Sequence, residues 1–238
     1  MTATLEDLLR DNPAIHGDTA SGDLMTHGLV EEALAHLSAT VRPGDRTLET
    51  GSGFSTIVFA LAGAEHTAIM PAQNEVDRIL AYCAQRAIPT DGLTFHVEPS
   101  ERVLPRLDLP PLDHVLIDGS HSFPQVFIDW FYVAAPMKVG GQLLVDDVHL
   151  WTGKVLRDFL VAEPEWEKVD ELGGRTTIFR KVAEVDPDKH WLKQPYVVRR
   201  TQFGPISMAR MAVSLVRHGH GAELPGRARN VIRERLGR

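Results

Sequence analysis

The segment Glu49-Thr50-Gly51-Ser52-Gly53-Phe54-Ser55-Thr56 decides the fold class, because it joins a short apolar strand directly to a helix. Arg46–Thr50 is the first predicted strand, and Ser55–Ala62 has the apolar period of a helix. The two glycines of the segment, Gly51 and Gly53, permit a tight turn and let the backbone approach a ligand closely. The free N–H groups at the start of the helix then face that ligand. A dinucleotide-binding loop has a third glycine where this chain has Thr56, which argues against a nicotinamide cofactor. A purely structural glycine-rich turn is the alternative interpretation.

On both sides of this turn, short apolar runs alternate with segments of helical period, which is typical of a parallel α/β sheet. In such sheets ligands bind beyond the carboxyl ends of the strands, so the residues that follow each strand are the candidates for a site. Further strands are predicted at His66–Met70, Leu93–Val97, His114–Asp118, Gln142–Asp146 and Thr176–Arg180, and further helices at Leu5–Leu9, Leu29–Leu37, Asn74–Ala87, Phe123–Ala135 and Lys154–Val161.

The composition excludes several classes of protein. Of 238 residues 43% are hydrophobic, which is enough for a full core and is unlike a disordered chain. The single cysteine, Cys83, rules out an intramolecular disulfide and a multi-cysteine zinc site. No apolar run reaches the length of about 18 residues that a membrane span needs, and the acidic first residues are unlike a signal peptide. We therefore expect a cytoplasmic protein with no integral membrane segment.

The net charge of −7 is unevenly distributed along the chain. Asp186–Arg238 contains 11 Lys and Arg against 4 Asp and Glu, whereas the rest contains 14 basic and 28 acidic residues. Such an acidic body argues against a nucleic-acid partner, which requires a basic face. Pro205–His218 has an amphipathic helical pattern, which favours packing on this acidic body or on a second subunit, and we expect a homodimer. A membrane-surface segment is the alternative.

The segment Glu49-Thr50-Gly51-Ser52-Gly53 resembles motif I of the class I S-adenosylmethionine-dependent methyltransferases, and the resemblance extends from about Asp45 to Lys181. It implies an α/β, Rossmann-like fold with a mostly parallel seven-stranded sheet and helices on both faces. It also implies three regions: accessory helices or a cap in residues 1–44, the cofactor-binding domain in 45–182, and a basic extension in 183–238.

The same resemblance assigns a role to several residues near the turn. Glu49 is expected to orient the amino group of S-adenosylmethionine, while Gly51 and Gly53 pack against its methionine part. The acidic residue that usually follows the second strand is replaced here by Met70-Pro71-Ala72-Gln73, so Gln73, or alternatively Asn74, is the expected substitute. The implied cofactor-binding residues are therefore Glu49, Gly51, Ser52, Gly53, Ser55, Gln73, Ser100 and Asp118.

Carboxylates follow two strands that are expected to be neighbours. Asp118 ends one strand, and Asp146 and Asp147 end the next, so parallel strands would bring all three to one edge. Each close pair of these charges costs about 4 kcal/mol at an effective dielectric of about 20. A proton or a cation must offset this repulsion, and oxygen ligands favour a hard divalent ion. The sequence thus predicts a site for Mg²⁺, with helix capping and loop formation as the structural alternatives.

Asp118-Gly119-Ser120-His121 together with Asp146-Asp147 resembles the metal-dependent O-methyltransferases, more closely those that modify sugars than those that modify catechols. The resemblance implies that His121, where catechol enzymes have Lys, is the general base. It implies methyl transfer to a hydroxyl of a sugar or glycoside, either a small molecule or an oligosaccharide. The alternatives are an enzyme for catechol-like phenols and a non-catalytic cofactor-binding regulatory or scaffold protein, with a nicotinamide dehydrogenase a distant third.

Overall fold

The computed structural model of the chain describes residues 3–17, 24–25, 28–201, 210, 213–214 and 216–219. The chain divides into two compact units, residues 1–187 and residues 188–238. The second unit contains a 3₁₀ turn, Trp191–Lys193, and a short helix. Most of the amphipathic helix predicted at Pro205–His218 lies outside the described residues, and the three-region division remains a prediction.

A seven-stranded sheet forms the centre of the first unit. Its order is β3-β2-β1-β4-β5-β7-β6, in which the first five strands along the chain are parallel and β7 is antiparallel to both β5 and β6. This confirms the predicted mostly parallel α/β sheet. The strands are β1 Arg46–Thr50, β2 Glu65–Ile69, β3 Leu93–His96, β4 Leu112–Ile117, β5 Met137–Val145, β6 Trp166–Leu172 and β7 Thr176–Lys181.

Helices cover both faces of this sheet, because successive strand residues point to opposite sides. Leu116 on β4 packs in one core with the helices of the first half, whereas Val115 packs in a second core with α6 and α7. In the first unit, a two-stranded ribbon pairs His16–Gly17 with Leu24–Met25. The helices are α1 Leu5–Asp11, α2 Glu31–Thr40, α3 Phe54–Ala62, α4 Gln73–Gln85, α5 Ser100–Val103, α6 Gln125–Ala134, α7 Trp151–Ala162 and α8 Pro195–Arg200.

The largest departure from the predicted elements is β6, which is absent from the strands expected from sequence. Its sequence, WEKVDEL, is mostly charged, and the strand lies at the edge of the sheet with most of its side chains exposed. An edge strand with exposed side chains needs no apolar run, so the hydrophobic pattern of the sequence does not predict β6 as a strand. Within the described ranges, no helix combines the length and apolar character that crossing a membrane requires.

Candidate active site at the carboxyl ends of the strands

The turn after β1 lies wedged between the ends of two neighbouring strands. Gly51 donates its N–H to the carbonyl of Ile69 at 2.9 Å, and Asp118 donates its N–H to the carbonyl of Thr50 at 3.0 Å. Gly51 has φ +99°, and a Cβ there would overlap the carbonyl oxygen of Asp118 and lie 2.9 Å from its carbonyl carbon. Glycine is therefore required for both backbone conformation and space.

Glu49 lies beneath this turn, fully buried. Its carboxylate accepts hydrogen bonds from the hydroxyls of Ser55, at 2.6 Å, and Thr56, and lies 3.1 Å from Nε2 of His66. Nδ1 of His66 in turn lies 2.8 Å from the hydroxyl of Thr47. Glu49 thus ties the turn to β1 and β2, and the contact with a cofactor amino group remains a prediction.

A cavity of about 350 Å³ opens beyond the ends of β1, β2 and β4. Ser52 lies on its wall, and the Ser52 hydroxyl is buried without a hydrogen-bond partner among the described residues. Such an orphaned polar atom beside a glycine cradle fits a polar ligand. Four of the predicted cofactor residues line this cavity: Gly51, Ser52, Ser100 and Asp118.

Ser100 reaches the cavity from the start of α5. Its hydroxyl donates to Oδ1 of the buried Asp129 at 2.7 Å and accepts from the amide of Gln125 at 2.8 Å. Burial raises the pKa of the Asp129 carboxyl. From the sequence, Asp129 is expected to be a helix-surface or packing residue, because a carboxylate in the middle of a helix carries no motif.

The structure places Gln73 away from this cavity, at the exposed start of α4, where its amide donates to Asp77 at 2.8 Å. Glu75 lies on the cavity wall instead, and its carboxylate is 3.4 Å from Nδ1 of His16 in the N-terminal ribbon. Sequence reasoning missed both residues. The acid at Glu75, in the first turn of the helix after β2, was an available signal, whereas His16 had none.

A second cavity, of about 160 Å³, adjoins the first, since His16, Ser52 and Asp118 line both. Two further predicted cofactor residues, Gly53 and Ser55, line this second cavity but not the first. The structure also brings the predicted catalytic and metal residues together here: Asp118, His121, Asp146 and Asp147.

The imidazole of His121 lies between two of these carboxylates. Its Nε2 is 3.1 Å from Oδ2 of Asp147 and 3.9 Å from Oδ1 of Asp118. Burial raises the pKa of the Asp118 carboxyl well above its usual range, and the negative charges of Asp146 and Glu49 raise it further. The predicted convergence and mutual repulsion of the carboxylates are thus present in the structure.

Arg175, which the sequence analysis missed, meets this negative charge. Its Nε and Nη2 donate to Oδ1 of Asp147 at 3.1 and 2.5 Å, and Nη2 lies 3.7 Å from Oδ2 of Asp146. The hydrogen bond to Asp147 raises the pKa of the guanidinium above its already high value. Arg175 directly precedes β7, and the start of an antiparallel strand lies beside the end of its neighbour β5.

As arranged, these donors do not fit a divalent metal ion. Arg175 occupies Oδ1 of Asp147, and the hydroxyl of Thr176 donates to Oδ1 of Asp146. Over the described part of the chain, no three His, Cys, Asp or Glu side chains form a group that could hold a metal ion.

Comparison with known proteins finds similarity both in sequence and in fold. Residues 48–148 match a family described as a methyltransferase domain. The O-methyltransferase TomG from Streptomyces achromogenes, solved with S-adenosylmethionine, is 18% identical over 74% of this chain and 90% of TomG, with a TM-score of 0.60. An O-methyltransferase from Bacillus cereus is 17% identical over 75% and 90% of the two chains, with a TM-score of 0.56.

The fold is shared with enzymes of other acceptors. An rRNA methylase from Streptococcus thermophilus is 10% identical over 67% of this chain and 99% of that one, with a TM-score of 0.51. No curated protein matches the chain in sequence. Residues 48–148 therefore match a methyltransferase domain in sequence, and the chain shares the fold of S-adenosylmethionine-dependent methyltransferases, as motif I predicts.

Proposed function

We propose that this protein transfers a methyl group from S-adenosylmethionine to a hydroxyl of a sugar or glycoside. The observation that carries the proposal is the pair formed by His121 and Asp147, which lines a cavity adjoining the larger cavity through Ser52 and Asp118. A base beside the cofactor cavity is what oxygen methylation needs, because a neutral hydroxyl is a poor nucleophile. Two structures with this fold, TomG and the Bacillus cereus enzyme, are themselves O-methyltransferases.

The larger cavity is the proposed cofactor site. The cradle at Gly51 lets the cofactor approach the backbone, and the unpartnered hydroxyl of Ser52 is available to hydrogen-bond it. Glu75 is positioned to accept hydrogen bonds from ribose hydroxyls, in place of the predicted Gln73. The bound cofactor supplies a methyl group activated by its sulfonium charge.

His121 is the proposed general base, and Asp147 fixes which nitrogen accepts the proton. With Nε2–H donating to Oδ2 of Asp147, the tautomer assigned from this partner leaves the lone pair on Nδ1. Nδ1 then takes the proton of the acceptor hydroxyl as the oxygen attacks the methyl carbon. The transfer is an in-line displacement, so the remaining task of the site is to align the two reactants.

An exposed aromatic pair beside His121 supports an acceptor that contains a ring. The side chains of Phe123 and Trp151 are 66% and 65% exposed, with ring centroids 5.9 Å apart. Thr152, next to Trp151, donates its hydroxyl to the carbonyl of His121 at 2.5 Å, which ties the start of α7 to the base. Flat apolar faces of this kind bind the face of a sugar, and they also suit a catechol-like phenol, the second candidate acceptor.

The experiment measures cofactor binding and methyl transfer separately. S-adenosylmethionine is titrated calorimetrically, and the loaded protein is then offered sugars, glycosides and catechols with labelled methyl groups. We expect His121→Ala to lower kcat by about 10²- to 10⁴-fold with cofactor affinity unchanged. His149→Ala is the matched control, because His149 lies 3.6 Å from Asp147 but lines neither cavity.

Three outcomes separate the candidate functions. Methylation of sugars that depends on His121 supports the proposal. A preference for catechols would keep the methyl transfer but make a catechol-like phenol the acceptor instead of a sugar. Cofactor binding without transfer to any hydroxyl favours the non-catalytic regulatory role, and absence of cofactor binding rejects the proposal. The homodimer, the cytoplasmic location and the absence of a nucleic-acid partner remain predictions of the sequence.

A further inference from the structure

The carboxylate cluster already contains a positive charge supplied by the chain. The guanidinium of Arg175 donates twice to Oδ1 of Asp147 and lies 3.7 Å from Oδ2 of Asp146. This leaves Oδ2 of Asp147 for His121, so one carboxylate joins the cation to the base. Charge-assisted hydrogen bonds from a planar guanidinium are strong and restrict the geometry of their acceptor.

We propose that Arg175 takes the place of the divalent metal expected from the sequence, and that it positions Asp147 so that His121 has the tautomer and orientation of a base. The inference rests on the proposed function and adds that methyl transfer requires no divalent ion. Arg175 acts through Asp147 and is therefore a positioning residue, while His121 is the residue that moves the proton.

The backbone at Asp147 supports a fixed arrangement of this kind. Asp147 has φ +51°, an unusual conformation for a residue other than glycine. Gly153 of α7 packs so tightly against it that a Cβ there would lie 2.6 Å from the carbonyl oxygen of Asp147. The adjacent Val148 donates its N–H to the carbonyl of Arg175 at 2.8 Å, which ties this loop to the residue that provides the cation.

A metal ion would have to bind the oxygens that these contacts leave, and Oδ2 of Asp147 already lies 3.1 Å from His121 and Oδ2 of Asp146 lies 3.7 Å from Arg175. Mg²⁺ requires several oxygens converging in near-octahedral geometry at about 2.1 Å. Oδ1 of Asp147 is committed to Arg175 and Oδ1 of Asp146 to the hydroxyl of Thr176. Adding a divalent ion would also bring it within a few Å of the guanidinium, and like charges at that distance repel.

The test is a titration of Mn²⁺, followed by electron paramagnetic resonance, into protein loaded with S-adenosylmethionine. The wild type is expected to show no saturable site, and its methyl transfer to continue unchanged in the presence of a chelator. Arg175→Met removes the charge at similar length, so the carboxylates of Asp146 and Asp147, freed from the guanidinium, are expected to gain a saturable Mn²⁺ site. Arg180→Met is the matched control, since Arg180 lies on β7 and pairs with the exposed Glu167 at 3.4 Å.

The kinetic readout separates positioning from general structural damage. In Arg175→Met we expect kcat to fall by about 10- to 100-fold, with a changed pH profile and an unchanged KM for S-adenosylmethionine. Arg175→Lys keeps the charge without the planar fork, so it is expected to recover part of kcat and to bind no Mn²⁺.

A saturable Mn²⁺ site in the wild type that Mg²⁺ displaces and Asp146→Asn abolishes would overturn the inference. The inference would also be overturned if Arg175→Met kept the kcat and the pH profile of the wild type. The wild-type titration decides the question even if Arg175→Met fails to fold. Failure of the proposed function would instead appear as missing cofactor binding or missing transfer, neither of which depends on the Mn²⁺ result.

Discussion

Gly51→Ala tests whether the close contact between the β1 turn and the end of β4 builds the cofactor site. The added Cβ would overlap the carbonyl oxygen of Asp118 and lie 2.9 Å from its carbonyl carbon. The obstacle is backbone at the end of a buried strand, so relief requires the turn or β4 to move. Because Asp118 lines both cavities, either movement displaces the walls of both.

The expected loss in free energy of unfolding in Gly51→Ala has two parts, backbone strain and steric overlap, and a substitution at Gly140 separates them. A non-glycine residue at φ +99° costs about 1 to 3 kcal/mol in backbone strain alone. Gly140 has a similar φ of +94°, and a Cβ there meets nothing within 4 Å, so Gly140→Ala measures strain without a clash. The difference between the two variants in free energy of unfolding is then the cost of forcing β1 and β4 apart.

The effect on binding and catalysis is expected to exceed the effect on stability. A displacement of about 1 Å at a reaction site can lower the rate by about 100-fold, and we expect kcat/KM in Gly51→Ala to fall by that order. Urea unfolding, calorimetric titration of S-adenosylmethionine and methyl transfer are measured on both variants. If Gly51→Ala matched Gly140→Ala in stability and bound the cofactor as the wild type does, the argument from close packing would be refuted.

Three further predictions concern residues around the same strands. Glu75→Gln is expected to weaken binding of S-adenosylmethionine about tenfold in a calorimetric titration, whereas Gln73→Ala, outside the cavity, should not change it. Asp129→Asn is expected to raise the free energy of unfolding by about 1 kcal/mol at pH 8, because it removes the negative charge of a buried carboxylate. Since burial raises the folded-state pKa of Asp129, its destabilising effect disappears as pH falls, and urea unfolding at pH 5 should show a smaller gain. Burial lowers the folded-state pKa of His114, so the unfolded state binds the proton first as pH falls. Wild-type stability in urea unfolding should therefore decrease below about pH 6.5, and His114→Gln should make this decrease with pH less steep.

The parts of the fold that the sequence predicts are those with a local signal. The parallel strands are apolar because both faces are covered, and residues such as Leu48 and Val115 are completely buried. Strand β6 lacks this signal because its side chains are mostly charged and exposed. The convergence of Asp118 and Asp146 follows from a general property of parallel sheets, so their approach needs no knowledge of loops or packing.

The site residues that sequence reasoning missed come from elements with no fixed relation to the parallel core. His16 belongs to an N-terminal ribbon, and its place on both cavities depends on how that segment folds over Gly53. Glu75 and Gln73 differ by two positions on a helix, or about 200°, so an error of two residues selects the opposite face. Placement of this kind is set by tertiary packing, which periodicity does not encode.

The charges of the carboxylate cluster predict that a neutralising group is present, but they do not predict which group it is. Repulsion among three carboxylates requires a positive charge or a proton but does not specify its source. A divalent ion needs oxygens that converge on one point, whereas a guanidinium needs only the edge of a carboxylate. Here the register of β7 on β5, with Thr177 opposite Val145, brings the residue before β7 to Asp147. The antiparallel hairpin therefore supplies the cation, and a chain with the same carboxylates and a neutral residue at position 175 is expected to require a metal.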